Sequence, residues 1–160
     1  MAYRELDMRS NATTPLRFHL IAAAAIGVLC VVIYANTARA PFVFDDHRNI
    51  QKNSAVHLKH LNVEGLNKAA FAGYSVRRPL ANLTFALNYY LGGDDVVGYH
   101  AFNIAIHLAS SLLVYLLCLA TLRLLADTAH GADPCLDAQS IAVISLCGGL
   151  LFVSHPVQTQ

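Results

Sequence analysis

Charged side chains are scarce in this chain of 160 residues: Asp, Glu, Lys and Arg together make up 13% of it, and 56% of the residues are hydrophobic. An average soluble domain is about one quarter charged. The apolar residues also gather into long blocks, which is typical of membrane proteins. The composition therefore excludes an ordinary soluble domain and indicates an integral membrane protein.

An excess of basic residues is missing as well. Eleven Lys and Arg residues stand against ten Asp and Glu residues, which leaves a formal net charge of +1. A nucleic-acid-binding protein shows a basic face with stacking aromatic residues, whereas the basic residues here are scattered. We therefore expect no nucleic acid among the partners.

Cysteines are few, and their placement excludes two kinds of site. Cys30, Cys118 and Cys147 fall within apolar runs, and Cys135 falls in a short polar connection. No pair has the spacing of a zinc site, and none lies in the long polar segment, so neither a zinc site at the cysteines nor a disulfide framework is predicted. All four are interpreted as small buried hydrophobic residues.

Three apolar runs predict membrane helices. The first has about 18 residues and spans roughly 27 Å as a helix, enough to cross a hydrocarbon core. A signal peptide is the alternative, since Ala38-Arg39-Ala40 resembles a cleavage site, but the long polar lead-in and the length of the run favour a retained anchor. The predicted order is a cytoplasmic tail (1–17), a transmembrane helix (18–36), an extracytoplasmic loop (37–101), a second transmembrane helix (102–125), a cytoplasmic loop (126–139), a third transmembrane helix (140–156) and a truncated end (157–160).

The orientation follows from arginines in the short N-terminal tail and at the far end of the second run, both of which favour the cytoplasm. Three spans of alternating direction then bring the long loop and the end of the third span to the same outer face. The fold class predicted is an all-α, multi-pass integral membrane protein.

Local patterns within the long loop predict two helices. Asn62 is placed to cap a short helix, and Pro79 suits the first turn of a longer one that stops at Gly92-Gly93. One apolar stripe runs along the longer helix: Leu80, Leu83, Leu87 and Leu91. Such helices are expected to lie along the membrane interface, and Asp94-Asp95 follow in a solvated turn.

The acidic pair Asp45-Asp46 directly after the first span is the candidate catalytic centre. A carboxylate at the bilayer surface can accept the proton of an attacking hydroxyl. Cationic and hydrogen-bonding groups would stabilise a departing phosphate, and the candidates are Arg48, Arg77, Arg78, His100 and His155. A solvated turn is the alternative for the acids, and anchoring to lipid headgroups is the alternative for the arginines.

Other polar residues are interpreted without a catalytic role. Intramembrane His107 is costly in lipid and is expected to face a protein or aqueous interior. The N-glycan sequons at Asn11 and Asn82 are treated as chance matches.

An ordered set of short motifs resembles the N-terminal part of the transmembrane-and-tetratricopeptide-repeat (TMTC-like) proteins. The motifs are Phe44-Asp45-Asp46 with Ile50 and Asn53, Arg78-Pro79-Leu80, Leu83-Thr84, Asn88-Tyr89, Gly98-Tyr99-His100 with Asn103 and His107, and Phe152 with His155-Pro156-Val157-Gln158-Thr159. That family is similar to C-type (GT-C) glycosyltransferases, and its animal members are protein O-mannosyltransferases.

The resemblance implies a membrane enzyme that transfers a mannose-like sugar from a polyprenyl-phosphate donor to a protein hydroxyl, with Asp45 or Asp46 as the essential acid of the first extracytoplasmic loop. Arg78, His100 and His155 are assigned to the donor phosphate. The further spans and C-terminal helical repeats of the family are missing here, and Gln160 stands where the family has an acid. The chain is therefore expected to be a fragment that is inactive alone.

Two other functions stay open. The chain could be a non-catalytic scaffold that binds lipid or a partner protein. An ion or proton pathway is less favoured, because the predicted spans contain too few charged residues. No cofactor is certain; Asp45 and Asp46 could hold a divalent cation, for which they supply two carboxylates without a third ligand. The expected location is a bacterial inner membrane, or the endoplasmic reticulum in a eukaryote.

Overall fold

The computed structural model describes residues 14–74, 76–128 and 137–155, and every regular element in these ranges is helical. An all-α architecture is therefore confirmed for the described part of the chain. The sequon at Asn11, Cys135 and the predicted end at 157–160 lie outside it.

Two helices are long and apolar enough to cross a bilayer. Helix α1 spans Leu16–Tyr34 and continues as a 3₁₀ turn over Ala35–Arg39, which gives a stretch of 24 residues with a mean hydropathy of 2.4 over an 18-residue window. After helices α2 (Val63–Phe71) and α3 (Pro79–Gly92), helix α4 spans Val96–Thr128, with 33 residues and a mean hydropathy of 2.1 over an 18-residue window.

Helix α4 begins earlier than the second run predicted, at Val96 instead of residue 102. The reason is a local cap, since a carboxylate oxygen of Asp95 accepts a hydrogen bond from the backbone N–H of Val97 at 3.1 Å. Gly93 ends α3 just before this cap, and it lies at φ 63°, a left-handed conformation that glycine adopts without strain. The polar residues that open α4 are therefore helical.

The third apolar run forms helix α5, Ala138–Ser154, which has 17 residues and is shorter than the two candidate spans. Asp137 caps it by accepting a hydrogen bond from the backbone N–H of Ser140 at 2.8 Å. Hydrogen bonds from the Ser140 side chain and then from its backbone lower the pKa of the exposed Asp137 carboxyl. The cap favours a charged Asp137 at the start of α5.

The described residues divide between two compact units, the helix unit (those within Met1–Ala35 and Ile104–Gln160) and the loop unit (those within Asn36–Asn103). The core of the helix unit contains residues of α1, α4 and α5, and the buried members include Ile26, Tyr115 and Val153. Large apolar side chains also cover its outside, such as Val32 at 71% exposure. Soluble proteins seldom expose so many apolar residues, so this surface fits a lipid environment.

Glycine permits the close packing of the helix unit. A Cβ built on Gly149 would stand 2.8 Å from Cδ1 of Ile26 and 3.2 Å from Cβ of Tyr115. Helices in membranes commonly approach each other through such small residues. Gly149 of α5 is therefore the contact point for α1 and α4.

His107 faces the interior of the helix unit, as the sequence predicted. It is 7% exposed, and its Nε2 donates to the carbonyl of Val153 at 3.1 Å. The hydroxyl of Tyr34 donates to the same carbonyl at 3.1 Å, and the Tyr34 and His107 rings meet edge to face at 5.1 Å. The end of α1, the middle of α4 and the end of α5 thus share one polar contact.

The loop unit has a small core of its own between α2 and α3. Val56, Leu58, Ala69 and Ala86 are buried together. The side chain of Asn62 caps α2 by accepting from the backbone N–H of Gly65 at 2.7 Å, and Pro79 occupies the first turn of α3. Both helix starts agree with the sequence prediction.

The leucine stripe of α3 faces away from this core. Leu80 is 78% exposed and Leu91 is 82% exposed, whereas Asn82 and Ala86 are the buried residues of the helix. The side chain of Asn82 donates to the carbonyl of Ala70 at 3.2 Å and so satisfies a carbonyl in the last turn of α2. Asn82, Ala86 and the partly buried Phe85 make the internal contact, whereas Leu80 and Leu91 face the surroundings.

Candidate active site

The acid pair lies on a tight turn of the loop unit. The backbone N–H of Asp46 donates to the carbonyl of Val43 at 3.0 Å, and a carboxylate oxygen of Asp46 accepts from the backbone N–H of Val43 at 3.2 Å. The Asp46 carboxylate therefore helps to close its own turn. Asp45 is exposed, and its carboxylate makes no hydrogen bond to any described residue.

The turn is strained at Phe44, whose φ is 46°. A left-handed conformation is unfavourable for a residue with a bulky side chain, and the Phe44 ring gains little in return because it is 94% exposed. Such strain persists only where the flanking structure fixes the backbone. The flanking contacts of the turn therefore decide where the acids are held.

The upstream flank is fixed to the first turn of α4. Phe42 is buried, and its ring meets that of Tyr99 edge to face with centroids 5.3 Å apart. The imidazole of His100 hydrogen-bonds the carbonyl of Ala40 through Nε2 at 2.9 Å. The hydroxyl of Tyr99 in turn donates to the carbonyl of Gly93 at 3.1 Å. The adjacent residues Tyr99 and His100 thus hold the backbone segment that precedes the acids.

The downstream flank is a short π-helical turn, His47–Gln51, which directly follows the acids. Ile50 is buried, and its carbonyl is hydrogen-bonded by Nε2 of His57 at 2.9 Å. The His57 ring stacks flat on Tyr89 of α3, with centroids 4.2 Å apart. The acid turn is therefore connected on this side to α3.

A second downstream contact involves the cation nearest in sequence to the acids. The Arg48 guanidinium lies over the ring of Tyr74, 5.5 Å from its centroid, a cation–π geometry. Buried Asn53 donates to the carbonyl of Asn49 at 3.1 Å, and a Cβ on Gly73 would stand 2.7 Å from the Asn53 amide nitrogen. Arg48 and Asn53 therefore hold the backbone after the turn.

Arg77 and Arg78 are both exposed, at the start of α3. The backbone carbonyl of Arg78 accepts from the N–H of Asn82 at 3.0 Å, whereas the Arg78 side chain makes no capping hydrogen bond to the helix. Either arginine can therefore reach an anionic group in the surroundings of the loop unit.

The remaining predicted residue, His155, belongs to the helix unit. It is exposed and ends α5, where its backbone N–H donates to the carbonyl of Phe152 at 3.3 Å. Within the loop unit, no hydrogen bond joins the side chains of Asp45, Asp46, Arg78 and His100 to one another.

Sequence reasoning gave no structural role to several residues that shape the acid turn, namely Phe42, Asn53, His57, Tyr89 and Tyr99, although three of them belong to the motifs of the family resemblance. Aromatic and histidine residues before and after a polar turn are a weak signal, because only the fold reveals which of them meet. No group of three or more His, Cys, Asp or Glu side chains in the described ranges is arranged to hold a metal ion. A shallow cavity of about 230 Å³ lies at the start of α2, with Lys59 and Lys68 in its wall.

In the ranges that the structure describes, the protein is all-helical, with two apolar helices of membrane-spanning length and an acidic turn between them in sequence. Three curated relatives are protein O-mannosyl-transferases by name. The chain is 32% identical over 162 residues to Tmtc3 of Drosophila melanogaster, a match that covers 95% of this chain and 18% of that protein. It is 32% identical over 147 residues to human TMTC4 (87% and 19%) and 31% identical over 148 residues to Drosophila melanogaster Tmtc1 (88% and 15%).

The predicted resemblance is thereby confirmed: the chain is homologous to the TMTC protein O-mannosyl-transferases along most of its own length. It spans less than one fifth of the length of these relatives. No family model and no solved structure matches the chain.

Proposed function

We propose that the chain is the acid-bearing part of a membrane glycosyltransferase that transfers a mannose-like sugar from a polyprenyl-phosphate donor to a hydroxyl of a protein acceptor. The homology to proteins named protein O-mannosyl-transferases carries this proposal. The exposed carboxylate of Asp45, which has no hydrogen-bond partner among the described residues, supports it.

Asp45 acts as the general base. The oxygen of the acceptor hydroxyl attacks the anomeric carbon, Asp45 takes the hydroxyl proton, and the bond from the sugar to the phosphate breaks with its electrons on the phosphate oxygen. Asp46 has a different part, because its carboxylate closes the turn through Val43.

The donor phosphate is bound by cationic side chains of the loop unit, for which Arg78 is proposed; His100 and His155 stay predictions from the sequence alone. Arg78 has an exposed guanidinium, and a guanidinium matches the geometry of phosphate oxygens. Such groups stabilise the charge that develops on the departing phosphate. The proposed mechanism makes no use of a metal ion.

The protein is proposed to span the membrane three times within this chain, with α5 as a short third span and the acid turn at the extracytoplasmic surface. The exposed leucines of α3 support an interfacial position for the loop unit. The compartment is the bacterial inner membrane or the endoplasmic reticulum. Residues 1–160 alone are expected to show no transferase activity.

The proposal is tested by comparing three single substitutions in the full-length protein that contains these residues. Asp45→Asn should lower transfer from a polyprenyl-phosphate mannose to an acceptor protein by roughly 100-fold or more, the size of a general-base contribution. Asp46→Asn keeps a carbonyl oxygen to close the turn and should lose less. Asp94→Asn is the matched control, since Asp94 is exposed in the same unit. Equal activity of Asp45→Asn and the control would refute the proposal.

A non-catalytic scaffold is the second candidate, and the exposed leucine stripe of α3 favours it. Leu80 and Leu91 present an apolar edge that a lipid or a partner protein would cover. In that case Asp45→Asn would leave function intact, whereas Leu80→Ser with Leu91→Ser would weaken association with membranes or the partner.

A further inference from the structure

We infer that His100 is a positioning residue, which holds the acid turn in place through the carbonyl of Ala40. The inference rests on the proposed function insofar as the turn carries the base, but the contact itself lies wholly within the loop unit. It gives His100 a role different from the donor-phosphate ligand predicted from the sequence.

The hydrogen bond fixes which nitrogen of His100 carries a proton. A carbonyl oxygen only accepts, so Nε2 must donate across the 2.9 Å to Ala40. In the neutral ring Nδ1 is then an acceptor. A neutral His100 therefore has no donor left for a phosphate oxygen, while it retains the contact with the backbone.

The contact acts at the point where the turn needs support. Val43 and Phe44 are exposed at 53% and 94%, so their side chains contribute little packing. The strained φ of Phe44 has to be maintained from outside the turn. Two contacts lie immediately before the turn in sequence: buried Phe42 packs against Tyr99, and the carbonyl of Ala40 is hydrogen-bonded by His100.

The sequence separation explains what the contact does. Ala40 and His100 are 60 positions apart, and the intervening chain contains α2 and α3. A hydrogen bond that closes so long a segment sets the position of Asp45 relative to the start of α4, which local structure alone does not determine. Loss of the bond should loosen the turn while leaving both helices intact.

The first arm of the test measures amide hydrogen exchange in the chain reconstituted in lipid nanodiscs. The amides of Val43 and Asp46 report on the turn, since both are hydrogen-bonded within it. In His100→Asn the shorter amide cannot reach Ala40, and exchange should quicken by roughly twofold to tenfold, the effect of one lost hydrogen bond. In His100→Gln an amide nitrogen stands near the place of Nε2, and protection should be restored.

The second arm measures transfer kinetics in the full-length protein. A positioning role predicts that His100→Asn lowers kcat by a factor similar to the loss of protection, that the donor KM stays within twofold, and that His100→Gln restores kcat. His60→Ala is the matched control, because His60 is an exposed histidine of the same unit. It should match the wild type in both arms.

The outcomes separate the two proposals. Unchanged exchange in His100→Asn, or a raised donor KM with unchanged kcat, would overturn the positioning role and leave Asp45 as the base. Full activity of Asp45→Asn would overturn the proposed function, while the exchange arm would still decide whether His100 holds the turn.

Discussion

Substituting Gly149 by alanine should test how closely the helices of the helix unit pack. The added Cβ would stand 2.8 Å from Cδ1 of Ile26, 3.2 Å from Cβ of Tyr115 and 3.5 Å from the carbonyl oxygen of Ser111. Overpacking of a core costs about 1–3 kcal/mol, and removing a glycine from a helix returns roughly 0.5–1 kcal/mol. We expect a net loss of about 1 kcal/mol in the free energy of unfolding.

Two other glycines provide graded controls. A Cβ on Gly27 meets nothing within 4 Å, and one on Gly148 meets only Sγ of Cys118 at 3.3 Å. Gly27→Ala should therefore stabilise the protein by roughly 0.5–1 kcal/mol, and Gly148→Ala should lie between the two. Denaturation in detergent micelles, followed by circular dichroism, measures all three.

A double substitution identifies the atom responsible. Ile26→Val removes Cδ1, the nearest neighbour of the new methyl group, at a cost of about 0.5–1.5 kcal/mol when made alone. In that background Gly149→Ala should cost less, with a coupling of at least roughly 0.5 kcal/mol. Additive effects, or a Gly149→Ala protein as stable as Gly27→Ala, would refute the close approach of α1 and α5.

Three further predictions concern side-chain hydrogen bonds, and the last of them follows the titration of Asp137. Asn82→Leu leaves the carbonyl of Ala70 without its side-chain donor. It should lower the free energy of unfolding by about 1–3 kcal/mol, which thermal unfolding measures. Tyr34→Phe and His107→Phe should each lower the free energy of unfolding by about 0.5–1 kcal/mol. The double variant should lose more than the sum, because the carbonyl of Val153 then loses both of its donors. Strictly additive losses would contradict this. The pKa of Asp137 is lowered by its capping bonds, so the stability that it adds to α5 is present above the ordinary pKa of 3.8 and is lost as the pH falls through the lower folded value. The stability difference between wild type and Asp137→Ala should accordingly vanish in acid, and a constant difference down to pH 2 would contradict the cap.

The local features of this protein follow from the sequence. Apolar runs determine where α1, α4 and α5 form, because a helix satisfies its own backbone hydrogen bonds. The caps at Asn62 and Pro79 and the stop at Gly93 depend on one or two neighbouring residues, so they are readable from the pattern. The family resemblance also rests on the order of short motifs.

The boundary of α4 shows where sequence reasoning fails. Polar and aromatic residues around Tyr99 and His100 predict the end of a loop, yet they form the first turn of a helix because Asp95 caps it. Their side chains have partners near residue 40, far away in sequence. The direction of the leucine stripe is likewise decided by Asn82, whose amide faces α2.

What the sequence by itself determined is therefore the helical class, the apolar helices and the presence of an acid pair that follows the first of them in sequence. Only the tertiary structure decided that Asp46 closes the turn, that Asp45 is left exposed, and that His100 holds the backbone before them. The physical reason is range: a helix or cap is fixed by residues within one turn, whereas a contact across 60 positions exists only once the chain between them has folded.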